Sequence, residues 1–525
     1  MSLFHSLFRK FRWNNRGNVA SLFALSLIPL VGAAGTAIDY SRIAEVKTRL
    51  GDSLDAGVLA LGTQPSMSDA QARNTVTAWM TAHMKGVPFE LTSLTQNGDT
   101  ITGKATSVVD MTLARVLGVN EVTVGVTSQI RKTLGKLELA LVLDNTGSMK
   151  GVKIDTLRKA ASNLVDSLSG SAASPNNFRV ALVPFAMTVN VGSQYQNANW
   201  IDAAGKSAAA KSLFLGQQVN RFDLLRNVSQ TWGGCVETRT MPYEITETYN
   251  PNDANSLYVP YFAPDEPGAK GDRRGGAYNN SYLDDSSLAA IARNLGIRSI
   301  SASDAWKYLQ GDTLKYTGRI ATGTTRSMGY QMGPNSGCEI APLMRLSSNT
   351  SAVKRAIDAM IANGNTDIPA GMAWGWNVLS PTGPFGDGVP YTDKDWKKIV
   401  VLMTDGNNEN EVGNQQDESY YSGVGYVWQG RMGITSGSKA RRTQLRDDRL
   451  DAMCNAMKAQ GESAPGAGDG IIVYTIRVEV RNGSSDVLKN CASSPDKFFD
   501  VQNINELVAV FDEIGSSIKQ LRLAL

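Results

Sequence analysis

The chain has 525 residues, 42% of them hydrophobic and 19% charged, a globular composition with room for two or three cores. Its formal charge is +3, and Arg9, Lys10, Arg12 and Arg16 exceed that surplus by themselves, so the rest of the chain offers no basic body for nucleic acid. With only two histidines, His5 and His83, it argues against a Ser-His-Asp hydrolase, an HExxH zinc protease or a multi-histidine metal centre, and it contains no GxSxG, Walker A or CxxC pattern.

From Val19 to Ile38 the sequence VASLFALSLIPLVGAAGTAI carries no charge over twenty residues. As a helix this spans roughly 30 Å, the thickness of one bilayer core. Four cations precede it and Asp39 follows, so the positive-inside rule predicts a cytoplasmic segment at 1–18, a transmembrane helix at 19–38 and the remainder across the membrane. In a bacterium that arrangement is a single-pass inner-membrane protein with its bulk in the periplasm. A cleaved signal peptide is the competing reading, given small residues at Ala33, Gly35 and Ala37. Against it, the stretch exceeds the usual h-region, and Ile43, Val46, Leu50, Leu54 and Leu61 continue a helical pattern beyond it.

Residues 39–136 read as a stalk helix and a small α+β domain. A further helix is expected at 68–85, then strands over 87–131, with Asn97-Gly98 as a hairpin turn. From Leu137 the pattern changes. The apolar runs LELALVLD (137–144), FRVALVPFA (178–186), KKIVVLMTD (397–405) and GIIVYTIRVEV (470–480) are nearly continuous, as in strands buried on both faces. Helical faces alternate with them at Ile154, Leu157, Ala161, Leu164 and Leu168, at Val353, Ile357, Met360 and Ile361, and at Leu507, Phe511, Ile514, Ile518 and Leu521. This order predicts an α/β fold over 137–525, a doubly wound and mostly parallel sheet.

Two segments interrupt it. Residues ~193–345 are rich in Tyr, Asn, Asp, Gly and Pro without periodicity and read as a long insertion, its tyrosines either a partner-binding surface or part of an irregular stapled excursion. Residues 407–445 form a second excursion ending in Lys439-Ala440-Arg441-Arg442, read as a solvated helix start. Four cysteines on the exported side permit two disulfides in three pairings; the choice is Cys235–Cys338, closing the insertion, and Cys454–Cys491, tying C-terminal elements.

Open α/β sheets place their chemistry at the carboxyl ends of strands. The first strand ends in Asp144-Asn145-Thr146-Gly147-Ser148, and the 397–405 strand in Thr404-Asp405-Gly406. A helix ending near Asn363-Gly364 delivers Thr366 ahead of another helix whose first turn holds Pro369. Asp144, Thr146, Ser148, Thr366 and Asp405 give five oxygen side chains, two of them anionic. That set suits a hard octahedral cation, Mg²⁺ or Mn²⁺, and not zinc. The cation would keep an open position for a carboxylate of a partner, which is binding without turnover. Each piece alone also reads as a capping loop or turn.

These residues resemble the metal-ion-dependent adhesion site of a von Willebrand factor A domain, with Thr146 where the usual motif has Ser. The segment RGNVASLFALSLIPLVGAAGTAIDYSR from Arg16 resembles the start of TadG-like proteins of the Flp (tight adherence) pilus assembly system. In those proteins a membrane helix precedes a periplasmic A-type domain, whose cysteine-containing C-terminal stretch is similar to IIVYTIRVEV and LKNCASSPDKFF here. The resemblance implies a component that helps build or anchor an adhesive pilus, with partners in the pilus apparatus. Pilin-like members are cut after a Gly and carry Glu five residues later; Gly17 is followed at that distance by Leu22, so an uncleaved anchor is expected.

The function expected is therefore non-enzymatic: a membrane-anchored pilus assembly component using the metal site to grip an acidic group. A surface-displayed metal-dependent adhesin is the alternative. A metal-dependent hydrolase would need a general base beside the cation, for which Glu409 and Glu411 are the nearby candidates.

Overall fold

A computed structural model describes residues 18–62, 67–97, 100–131, 135–170, 175–266, 280–284, 305–323, 330–409, 419–460, 470–480 and 486–523. The basic segment before Asn18 and Glu411 lie outside them. The chain divides into two compact units, Met1–Thr133 and Leu134–Leu525.

In the first unit, helix α1 (Asn18–Gly62) covers the charge-free stretch and continues through the stalk. Side chains over most of 19–34 lie outside the described residues, and among those described no helix is long and apolar enough to cross a membrane. Helix α2 (Asp69–Met84) starts at Ser68, whose hydroxyl accepts from the Gln71 amide while the Gln71 side chain accepts from the Ser68 amide, satisfying two first-turn donors. The strands β1 (Glu90–Asn97), β2 (Thr100–Asp110) and β3 (Glu121–Arg131) form an antiparallel sheet, with Asn97 paired to Thr100 across the expected turn. Leu50, Leu54, Val58 and Leu61 of α1 and Val76, Met80 and Met84 of α2 close over Ile101, Ala105 and Val124. Each such buried side chain contributes about 1.5–3 kcal/mol.

The second unit is built on a six-stranded sheet. Its strands are β4 (Lys136–Asp144), β5 (Phe178–Phe185), β6 (Met344–Ser347), β7 (Trp396–Thr404), β8 (Ile472–Val478) and β9 (Phe498–Val501). The order is β9-β8-β7-β4-β5-β6, parallel except for the edge strand β6, which runs antiparallel to β5. Two-sided burial makes the central strands largely apolar, and the buried Glu138 is paired with Lys398 on the neighbouring strand. Leu139, Leu141 and Leu143 face helices α3 (Val152–Gly170), α4 (Thr350–Asp358) and α7 (Leu507–Leu523), while Ala140 and Val142 face α5 (Ile368–Leu379). Helix α5 sits close because a Cβ on Gly375 would lie 2.4 Å from Val142 Cγ2, and one on Gly371 2.5 Å from the Phe185 ring. Helix α6 (Lys439–Lys458) packs on the same side.

The insertion corrects the surface reading of its tyrosines. Tyr258, Tyr261, Tyr282, Tyr316 and Tyr330 are all buried, and the first four join Trp200, Phe214 and Phe262 in the core beneath α5. One of its charge centres is internal: Glu237 accepts from Arg221, Tyr421 and, at 2.6 Å, Arg431, so the second excursion is clamped to the first. The Lys439–Arg442 cluster is also not wholly solvated, since Arg442 is fully buried. Disulfides join Cys235 to Cys338 and Cys454 to Cys491.

Candidate metal centre

The strand register brings the site together. Leu143 pairs with Met403, which sets Asp144 beside Thr404 at the carboxyl edge. Asp144 is fully buried; its Oδ1 accepts from the Thr146 amide at 2.8 Å and its Oδ2 from the Thr404 hydroxyl at 2.7 Å. The Thr146 and Ser148 hydroxyls are 2.9 Å apart, and Ser148 donates to Asp405 Oδ1 at 2.6 Å. Thr366 borders the same turn, its Oγ1 3.3 Å from where a Cβ on Gly406 would lie. The loop carrying Thr146 is pinned to the loop carrying Thr366 by Gly147 donating to the Gly364 carbonyl at 2.7 Å, and by Asn363 donating to the Asn145 carbonyl at 2.7 Å. Thr366 is delivered by an irregular loop rather than directly by a helix end: α4 stops at Asp358, and Asp367 caps α5 through the Ala370 amide at 3.3 Å.

Burial, and next the charge of Asp405, push the Asp144 carboxyl up to about 7, against the hydrogen bonds from Thr146 and Thr404. Asp405 is itself compensated, because Lys153 Nζ donates to its Oδ2 at 2.8 Å while standing 3.6 Å from Glu479 Oε2. Sequence reasoning missed Lys153. Its signal was present: a cation in the first turn of α3 runs against the helix dipole and so needs a local anion.

The donor chemistry fits a hard cation. Two carboxylates and the hydroxyls of Thr146 and Ser148 gather at the strand edge, with Thr366 bordering them, an all-oxygen set of the kind hard cations take. Glu409, the proposed general base, holds Lys439 at 3.4 Å, while its amide donates to the Thr366 carbonyl at 2.9 Å. Beside Thr366 a recess is lined by Met187, Asn365, Glu409, Tyr420 and Ser422. Its floor is braced by Arg446, which donates to Asp367 at 2.7 Å and to Glu244 at 2.6 Å.

The sheet and its strand-end loops make an α/β domain, and a family model for the von Willebrand factor type A domain matches residues 138–217 within it. A second model, for putative Flp pilus-assembly TadE/G-like proteins, matches residues 17–62, so two separate stretches of the chain are similar to these two families. No match was found among curated proteins. Solved structures give distant likenesses. The SpaC pilus adhesin of Lactobacillus rhamnosus GG is 11% identical with a TM-score of 0.32, over 82% of this chain and 35% of that one. The vWF domain of the type V pili tip protein Mfa5 from Porphyromonas gingivalis is 10% identical with a TM-score of 0.31, over 74% and 96%. The PilB minor pilin from Streptococcus sanguinis is 12% identical with a TM-score of 0.31, over 83% and 79%. The chain thus spans about a third of the length of SpaC.

Proposed function

We propose that this chain is a membrane-anchored, periplasm-facing component of Flp pilus assembly, and that its A-type domain binds an acidic group of an apparatus protein through Mg²⁺ or Mn²⁺. The observation that carries this reading is the convergence of Asp144, Thr146, Ser148 and Asp405 at one strand edge, with Thr366 bordering it. A bound cation would supply a coordination position for the partner's carboxylate. The protein's part is to hold the donors. Thr404 and the Thr146 amide fix both oxygens of Asp144, while Ser148 orients Asp405. Lys153 keeps Asp405 compensated before the cation arrives.

The anchor is supported by the charge-free sequence of 19–38 and by exposed Phe23, Leu25, Leu27 and Leu30 on α1, which would face lipid. Two disulfides suit an oxidising compartment. The test is co-purification with the detergent-solubilised full chain in Mg²⁺ and in EDTA, with Asp144→Asn as control. Recovery of pilus-apparatus proteins in Mg²⁺ alone, lost in the variant, is expected. Recovery unaffected by EDTA and by the variant would refute the metal contact.

A further inference from the structure

We infer that residues 111–120 of the first unit seat in the surface of the phospholipid bilayer beside α1, so that the small domain rests on the membrane rather than standing off it. This rests on the reading of 19–38 as a membrane span. Gly35 lies inside that span, three residues before its end at Ile38, which on a helix is about 4–5 Å. The loop reaches that depth. A Cβ on Gly35 would lie 2.8 Å from Leu113 Cβ, so Leu113 packs directly on the helix at the level of Gly35.

The surroundings match a lipid interface. Ile38 (55% exposed), Tyr40 (72%), Leu113 (37%) and Val119 (44%) leave large side chains uncovered around this junction. Tyrosine at the end of a span belongs to the interfacial belt, and apolar side chains at that depth enter the acyl boundary. The carboxylate on the helix itself at this depth is turned inward. Asp39 is buried and accepts from the amides of Thr112 at 3.1 Å, Leu113 at 2.9 Å and Ala114 at 2.7 Å, which also fixes the loop to the helix. Arg42 donates to the Thr112 hydroxyl at the exposed side, where a guanidinium can also meet lipid phosphate. Of the remaining acids nearby, Asp110 pairs with Arg115 at 3.6 Å and Glu45 with Arg49 at 2.8 Å, leaving Glu121 at the strand end.

The experiment uses the full chain, with its four native cysteines paired, reconstituted in phosphatidylethanolamine–phosphatidylglycerol vesicles. A nitrobenzoxadiazole dye is placed at Val119→Cys or, in a separate sample, at Thr95→Cys. Both sites are exposed, and Thr95 pairs with Thr102, roughly 25 Å of strand from Asp110. The expected result is a blue-shifted dye at position 119, quenched several-fold more than the dye at 95 by lipid spin-labelled near the headgroup. Equal quenching at the two positions in a chain that still floats with the vesicles would overturn the inference and leave the span standing. A chain that does not float with the vesicles would overturn the span, and this inference with it.

Discussion

Replacing Asp144 by Asn removes a buried charge while keeping the local hydrogen bonds. The amide oxygen can still accept from the Thr146 amide, and the amide nitrogen can donate to the Thr404 hydroxyl, which is able to accept. The native carboxyl sits at about 7 against an ordinary 3.8, so the fold favours its protonated form. The sign follows. Below the ordinary value both folded and unfolded chains hold the proton, and nothing is lost. Between about 4 and 7 only the folded chain holds it, so metal-free stability falls as pH rises and levels off above 7. A shift of this size corresponds to about 4 kcal/mol as an order of magnitude. In EDTA, Asp144→Asn and the native chain should therefore be equally stable near pH 4, and the variant more stable by up to about 4 kcal/mol at pH 8. Urea denaturation across that range measures the difference. Adding Mg²⁺ at about 100 times its dissociation constant should restore roughly 2.7 kcal/mol to the native chain and nothing to the variant. A variant less stable than the native chain at pH 8 in EDTA would refute the reasoning, since Asp144 would then be a satisfied structural anion.

Other consequences can be checked in parallel. Lys153→Met removes the cation that occupies Asp405 Oδ2, so apparent Mg²⁺ affinity in calorimetry should rise about tenfold while metal-free stability drops. Glu237→Gln leaves Arg221 buried without its counter-charge and loosens the clamp between the two excursions; a loss of about 3–5 kcal/mol in denaturation is expected, with the six-stranded sheet retained by circular dichroism. Cys454→Ser opens a crosslink between residues 37 apart, which by chain entropy costs about 4 kcal/mol and should lower the melting temperature as much as reductant does at that bond alone.

The central parallel strands were legible because burial on both faces leaves few polar positions: the run at 397–405 differs from β7 by one residue at each end. The two outer strands were not. Met344–Ser347 and Phe498–Val501 are four residues each, partly exposed, and carry too little pattern to separate from loop. The insertion hid its core for a different reason. Tyr258, Tyr261, Tyr282 and Tyr316 are buried through turns and ring contacts with no fixed period, such as the perpendicular packing of Tyr316 on Phe262, so composition left a surface and a stapled excursion equally open where there is an interior. At the site, Asp144, Thr146 and Ser148 were visible as a short local motif. Lys153 and the recess around Tyr420 depend on elements brought together only by the sheet, and Arg442 was misread because a basic cluster at a helix start carries no sign of which member is buried.

The central claim is that these oxygen donors hold a divalent cation. Titration of the full chain with Mn²⁺, followed by electron paramagnetic resonance of the free ion, tests it directly. One Mn²⁺ bound per chain, displaced by Mg²⁺ and lost in both Asp405→Asn and Asp144→Asn, is the predicted result. No bound Mn²⁺, or binding that both variants retain, would contradict it and leave the Asp405–Lys153 ion pair as the purpose of the strand edge.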